Sequence, residues 1–178
     1  MQRLNSFPPV ADRNARILIL GSMPGQRSLE AQQYYAHPHN TFWKIMGELV
    51  GAHPHLPYEQ RLEMLKRKGI ALWDVLRTCE RQGSLDADIR HEVANDFTGF
   101  FAKHPLITHL YFNGAKAEQS FRKFVSGKQT LPQLSSQRLP STSPAYTGMT
   151  YEKKLQAWKG ISASHDAKTH ADAATSLG

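Results

Sequence analysis

The sequence predicts an α/β protein, a three-layer α/β/α sandwich around a central, mainly parallel sheet of about four strands. Three observations carry that expectation. Short apolar runs, Arg16-Ile17-Leu18-Ile19-Leu20, Ile70-Ala71-Leu72-Trp73 and His109-Leu110-Tyr111-Phe112, have the composition of strands buried on both faces. Stretches with apolar residues three and four apart separate these runs, so consecutive strands are joined by helical crossovers and pair in parallel. The 178 residues, 40% hydrophobic and 21% charged, suit a single packed core and exclude a disordered chain.

The elements follow in order. The strand over residues 16–20 ends at Gly21 and gives way to a loop. From Thr41 to Val50, Phe42, Ile45, Met46 and Leu49 form one helical face, and Gly51 lies past its end. Tyr58 to Lys68 repeats the pattern through Leu62 and Leu65 until Gly69 stops it. After the strand at residues 70–73, Asp86 to Lys103 reads as a longer helix that Asp86 caps and that ends before Pro105. The strand at residues 109–112 runs into Gly114, Ala115 to Val125 is helical, Gln137-Arg138-Leu139 is a short final strand and Tyr151 to Ile161 a last helix. With no internal repeat and no interdomain linker, residues 1–161 read as one domain, and 162–178, rich in alanine and histidine, as a loosely ordered tail.

Composition narrows the function classes. Cys79 is the lone cysteine, so there is no internal disulfide and no cysteine-rich zinc site, and a reduced cytoplasm is expected. No apolar run approaches the roughly 18 residues of a membrane span, and the first nine residues lack the apolar stretch of a signal peptide. Lysine plus arginine outnumber aspartate plus glutamate by 22 to 15, for a net charge of +7, which favours a polyanionic partner.

Ligands on parallel sheets sit at the carboxyl ends of the strands. Those ends are Gly21-Ser22-Met23-Pro24-Gly25, Asp74, Asn113-Gly114 and Pro140-Ser141-Thr142-Ser143-Pro144. The first has neither the three glycines of a dinucleotide fingerprint nor the Gly-Lys-Ser/Thr of a P-loop, so it is either a tight strand exit or a loop whose amides approach a ligand. Asn40, in Tyr34-Tyr35-Ala36-His37-Pro38-His39-Asn40-Thr41-Phe42-Trp43, fits a helix N-cap by itself. His37 and His39 lack a carboxylate neighbour and make a weak metal signal. Phe42 and Trp43 suit core packing, whereas Tyr34 and Tyr35 are placed to stack on a planar ligand. Asp74 suits either a cap near Val75 to Thr78 or a site residue, and residues 141–144 read alone are a hydroxyl-rich turn. No Gly-x-Ser-x-Gly elbow supports a serine hydrolase.

Taken together, and in this order from Arg16 to about Lys159, these segments resemble the uracil-DNA glycosylase superfamily, closest to its hypoxanthine-DNA glycosylase branch. Gly21 to Gly25 looks like the superfamily's first motif, Tyr35 to Trp43 is similar to the segment after it in the mismatch-specific branch, and Pro140 to Pro144 is similar to the second motif. Two positions depart from several branches: Met23 stands where a catalytic aspartate or asparagine is found, and Ser141 where the second motif often begins with histidine or asparagine. Both fit the hypoxanthine branch, whose catalytic asparagine matches Asn40.

The resemblance implies a monofunctional glycosylase that extrudes deoxyinosine from DNA and hydrolyses its N-glycosidic bond, with no metal and no organic cofactor. Asn40 would hold the attacking water, and Gly21, Ser22, Met23, Pro24, Gly25, Tyr35, Asp74 and Asn113 would bind the base. Tyr35 would stack on it and Asp74 accept its ring N–H. Ser141, Thr142 and Ser143 would meet phosphates, and Tyr146 would wedge into the vacated stack. The alternatives are a uracil or mismatch-specific glycosylase on the same fold, a non-catalytic module that binds damaged DNA, and a small-molecule α/β enzyme using the same strand-end pocket. The basic surplus is concentrated in Tyr111 to Gly178, with 9 basic against 4 acidic residues. Lys116, Lys128, Arg138, Lys153 and Lys154 are therefore the expected DNA-facing cations of a chain that acts as a monomer.

Overall fold

The computed structural model describes residues 2–161, so the expected tail at 162–178 lies outside the described residues. The chain opens with a short strand, β1 (Arg3–Asn5), and enters the central strand β2 (Ile17–Gly21), buried at every position. Then come α1 (Gln26–Ala31), α2 (Phe42–Val50), α3 (Tyr58–Arg67), β3 (Ile70–Asp74) and β4 (Leu76–Glu80). A 3-10 turn at Asp86–Asp88 leads to β5 (Arg90–Ala94), α4 (Phe97–Lys103), β6 (His109–Asn113), α5 (Ala115–Phe124), β7 (Ser135–Leu139) and α6 (Tyr151–Trp158).

The main sheet has the order β3-β2-β6-β7 with every pair parallel. Side chains alternate across a strand, so these four runs feed two cores at once. Leu18, Leu20, Ala71, Trp73, Leu110 and Phe112 pack with Phe97, Phe100 and Phe101 of α4 and with Ala117 and Phe121 of α5. Ile17, Ile19, Ile70, Leu72, Tyr111 and Leu139 pack with α2, with Leu62 and Leu65 of α3 and with Trp158 of α6. This is the α/β/α sandwich expected from the apolar runs.

The stretch from Asp86 to Lys103 differs from its expectation. It is not one helix. Asp86 starts the 3-10 turn, Arg90–Ala94 pairs antiparallel with β4, and helix begins only at Phe97. The cap is Asp96, whose carboxylate accepts from the Gly99 amide at 3.0 Å. A second sheet, β1-β4-β5, is thus added to the face that carries α4 and α5. Cys79 on β4 is buried there as a free thiol. Sheet pairing has overridden the helix-forming residues of 86–94, because Ile89 gains a place in the core by it.

Candidate active site

The carboxyl ends of β2, β3, β6 and β7 open into one cavity of about 1110 Å³, roomy enough for an extruded nucleotide. Register builds its floor: Gly21 at the end of β2 lies beside Asp74 at the end of β3, and Asn113 beside Leu139. Gly21 is required by close approach. A Cβ there would stand 2.5 Å from Asp74 Oδ1 and 3.2 Å from the Tyr35 hydroxyl. The missing side chain lets a carboxyl and a phenol converge over the central strand.

Asp74 is 3% exposed, and its Oδ2 is buried with no hydrogen-bond partner. Burial, then the Asp86 carboxylate, push its pKa up to about 7, while Arg81 pulls the other way. Its role as a cap within Val75 to Thr78 is not realised: its backbone carbonyl accepts from Asn95 Nδ2 at 2.8 Å, and β4 begins two residues later. The Tyr35 ring stacks on Phe42 with centroids 4.0 Å apart, and the residue lines the cavity. Its φ of 56° is unusual for a residue with a side chain. Neighbouring bonds hold it there. Tyr34 N donates to the Tyr58 hydroxyl at 3.0 Å, Trp43 Nε1 to Tyr34 O at 2.9 Å and Ala36 N to Ser28 Oγ at 3.0 Å. Burial first, then Asp74, raise the Tyr35 phenol well above its ordinary range. Tyr34 is a packing residue, 4% exposed, whose hydroxyl donates to Pro8 O.

Asn40 lines the cavity wall just before α2. Its Oδ1 accepts from Phe42 N at 3.0 Å, which fixes the amide and leaves that oxygen a second lone pair. Thr41 occupies the N-cap position, so Asn40 braces the turn one residue earlier. His37 lines the cavity as well, and its Nδ1 accepts from His39 N at 3.0 Å.

Ser22, Met23, Pro24 and Gly25 form one lip. Ser22 Oγ donates to Asp86 Oδ1 at 2.7 Å, and Met23 is 7% exposed and packs into the core beneath. Arg81, which the sequence did not single out, ties this lip down: Nη2 donates to Pro24 O at 2.6 Å and Nε to Gly83 O at 2.8 Å. Only the pairing of β4 brings Arg81 there, and that strand was not expected.

Several expected contacts take other roles. Asn113 lines the cavity with part of its amide committed to the loop after β7: Nδ2 donates to Thr142 Oγ1 and Oδ1 accepts from Thr142 N, both at 3.0 Å. Thr142 is 1% exposed and does not face phosphate; its carbonyl accepts from Thr41 N at 3.0 Å. This pair clamps the loop after β7 to the Asn40 segment. Lys154 is not a surface cation: it is 5% exposed, and Nζ donates to Tyr146 O at 3.0 Å. Lys116 reaches the cavity but is ion-paired with Glu92. Arg138 lies 3.8 Å from Glu118. Lys128 is exposed near the Phe124 ring, and Lys153 is exposed on α6. Ser141 and Ser143 are half-buried on the cavity rim and Tyr146 is exposed at its edge. Arg27 and Arg90, exposed at the same rim, are cations that no motif marked. Among the described residues no group of three or more His, Cys, Asp or Glu could hold a metal ion, and no helix is long and apolar enough to cross a membrane.

A parallel four-stranded sandwich with a polar, aromatic-walled cavity at its strand ends and an asparagine fixed on the wall has the architecture of a base-excising glycosylase. The chain belongs to the uracil DNA glycosylase superfamily, whose family model matches residues 8–162. It is 44% identical over 112 residues, 62% of this chain and 71% of the relative, to a hypoxanthine DNA glycosylase of Methanosarcina barkeri. The same figures hold for a hypoxanthine DNA glycosylase of Methanosarcina acetivorans. A solution NMR structure from Methanosarcina acetivorans, of a protein provisionally described as a uracil DNA glycosylase, superposes with a TM-score of 0.73. It is 34% identical, and the match covers 90% of this chain and 98% of that one.

Proposed function

We propose that this chain is a monofunctional DNA glycosylase that hydrolyses the N-glycosidic bond of deoxyinosine in DNA and releases hypoxanthine. The observation that carries the reading is the convergence of Asn40, Tyr35 and Asp74 on one cavity, in a chain 44% identical to hypoxanthine DNA glycosylases. Extruding a nucleotide costs a few kcal/mol, which stacking and phosphate contacts must offset. Tyr35, braced from behind by Phe42, presents an aromatic surface to a flat purine. Ser141, Ser143, Arg27 and Lys116 lie at the rim, where phosphates of the bent strand would pass.

In the reaction, water attacks the anomeric carbon, the carbon–nitrogen bond breaks, and its electron pair leaves with the base. The Asn40 carbonyl, held by Phe42 N, positions that water through its second lone pair. A neutral amide is a weak proton acceptor, so the contribution is alignment and charge stabilisation of the oxocarbenium-like sugar. Backbone amides of the Ser22 to Gly25 lip and the Asp74 carboxyl address the departing base. Lys116, the lysine that lines the cavity, is engaged by Glu92, in keeping with water rather than an amine as nucleophile. No step calls for a metal or an organic cofactor. The catalytic unit is the single domain of residues 1–161, acting as a monomer on DNA in the reduced cytoplasm, a setting that suits the buried free thiol of Cys79.

The test uses labelled duplexes carrying one deoxyinosine, uracil or xanthine, followed by alkali to break abasic sites. Strand breaks at deoxyinosine are expected, with no covalent complex trapped by borohydride. Breaks at uracil alone, or tight binding with no breaks on any substrate, refute the reading.

A further inference from the structure

The floor of the cavity holds a carboxyl that the water-positioning chemistry leaves unused. Asp74 is buried at the end of β3, its Oδ2 finds no partner, and its Oδ1 lies over Gly21. A second carboxylate is anchored nearby, because Ser22, the residue after Gly21, donates to Asp86 Oδ1 at 2.7 Å.

Resting on the glycosylase reading above, we propose that Asp74 works as a neutral carboxylic acid, its carbonyl oxygen accepting the ring N–H of the extruded base while its hydroxyl donates to the neighbouring base carbonyl. This two-point contact matches the N–H and C=O edge that deamination creates in a base. It also serves the bond-breaking step, since negative charge builds on the leaving base and a donor at its carbonyl stabilises that charge. An ionised carboxylate only accepts hydrogen bonds; it would face the base carbonyl with like charge and oppose departure of the anion.

The surroundings hold the proton on Asp74. Burial disfavours the charged form, and Asp86, in the segment after β4, adds a like charge; together they bring the pKa to about 7. Tyr34 and Tyr35, from the loop before α2, face Asp74 with phenols that are themselves raised and stay neutral. On β6, the Asn113 amide is turned onto Thr142, and Asn95 Nδ2 meets only the Asp74 backbone carbonyl. Arg81 opposes the shift, but its Nε and Nη2 are spent on Gly83 O and Pro24 O. The same pattern, a carboxyl kept protonated by an apolar site so that it donates to a developing oxyanion, is known in ketosteroid isomerase.

The experiment is single-turnover excision from a deoxyinosine duplex by the full chain, followed across roughly neutral to alkaline pH. The wild-type rate is expected to fall about tenfold per pH unit once Asp74 ionises. Asp86→Asn removes the like charge that helps raise the Asp74 pKa, so the decline must move to lower pH. Asp74→Asn, an amide with donor and acceptor at every pH, must lose the decline altogether. A decline at the same pH in all three proteins, or a wild-type rate that does not fall, overturns the inference while leaving the glycosylase reading intact. No excision at any pH overturns both. Carboxyl-carbon NMR of Asp74 gives a readout independent of turnover and of the variants' folding: titration in the ordinary aspartate range refutes the proposal.

Discussion

Gly21→Ala puts the tightest contact of the site under strain. The added methyl would stand 2.5 Å from Asp74 Oδ1 and 3.2 Å from the Tyr35 hydroxyl. The first distance falls about 1 Å short of ordinary van der Waals contact, so something must move by that amount. The backbone has little room to give, because β2 is hydrogen-bonded in register to β3 on one side and β6 on the other. Tyr35 is held through its neighbours on both sides and stacked on Phe42, which leaves the Asp74 carboxyl to swing away. A displacement of about 1 Å in a positioned group costs about 100-fold in rate, and overpacking at a buried site costs about 1–3 kcal/mol of stability. The assay pairs single-turnover excision of hypoxanthine with thermal unfolding of the same preparation. A variant that is folded at the assay temperature and excises about 100-fold more slowly meets the expectation. A folded variant with an unaltered rate refutes the placement of Asp74 and Tyr35 against the base.

Three further outcomes follow from the same geometry. Asn40→Ala should abolish excision while leaving duplex binding largely intact, with a stability loss of about 0.5–2 kcal/mol from the lost bond to Phe42 N; an unchanged rate would confine Asn40 to bracing the turn. Arg27→Gln should weaken DNA binding and lower its salt slope by about 1, whereas Lys154→Met should lower the melting temperature through the lost bond to Tyr146 O, and a salt-slope loss for Lys154→Met alone would reverse that assignment. Because the folded-state pKa of Asp74 is raised, its contribution to stability is complete below the ordinary aspartate pKa of 3.8 and is lost as pH rises through about 7; urea unfolding across that window should show the decline in wild type and not in Asp74→Asn.

Much of the fold was legible because its central strands are buried on both faces. Ile17–Gly21, Ile70–Asp74 and His109–Asn113 read as continuous apolar runs, and no helix period competes with them over so few residues. The small sheet was not legible. Leu76–Glu80 is buried only at Leu76 and Cys79, and Arg90–Ala94 is built from residues that suit a helix equally well. Of the site, the loops at the strand ends were readable from their glycine, asparagine and serine content, and Asn40, Tyr35 and Asp74 do meet in one cavity. Asp86 looked like a helix cap because a carboxylate before a polar stretch has that use most often, and its bond to Ser22 spans 64 residues of sequence.

By itself the sequence determined the layers, the end of the sheet that carries the cavity, and the residue types available there, since burial period and strand-end chemistry are local properties of the chain. The tertiary structure decided how each polar side chain is spent. Asn113 and Thr142 are 29 residues apart and Arg81 and Pro24 are 57 apart, yet each pair is joined by hydrogen bonds that hold a loop. A buried donor or acceptor must find a partner wherever the fold supplies one, so residues expected to meet DNA became clamps, and Asp74, whose Oδ2 found no partner, was left facing the cavity.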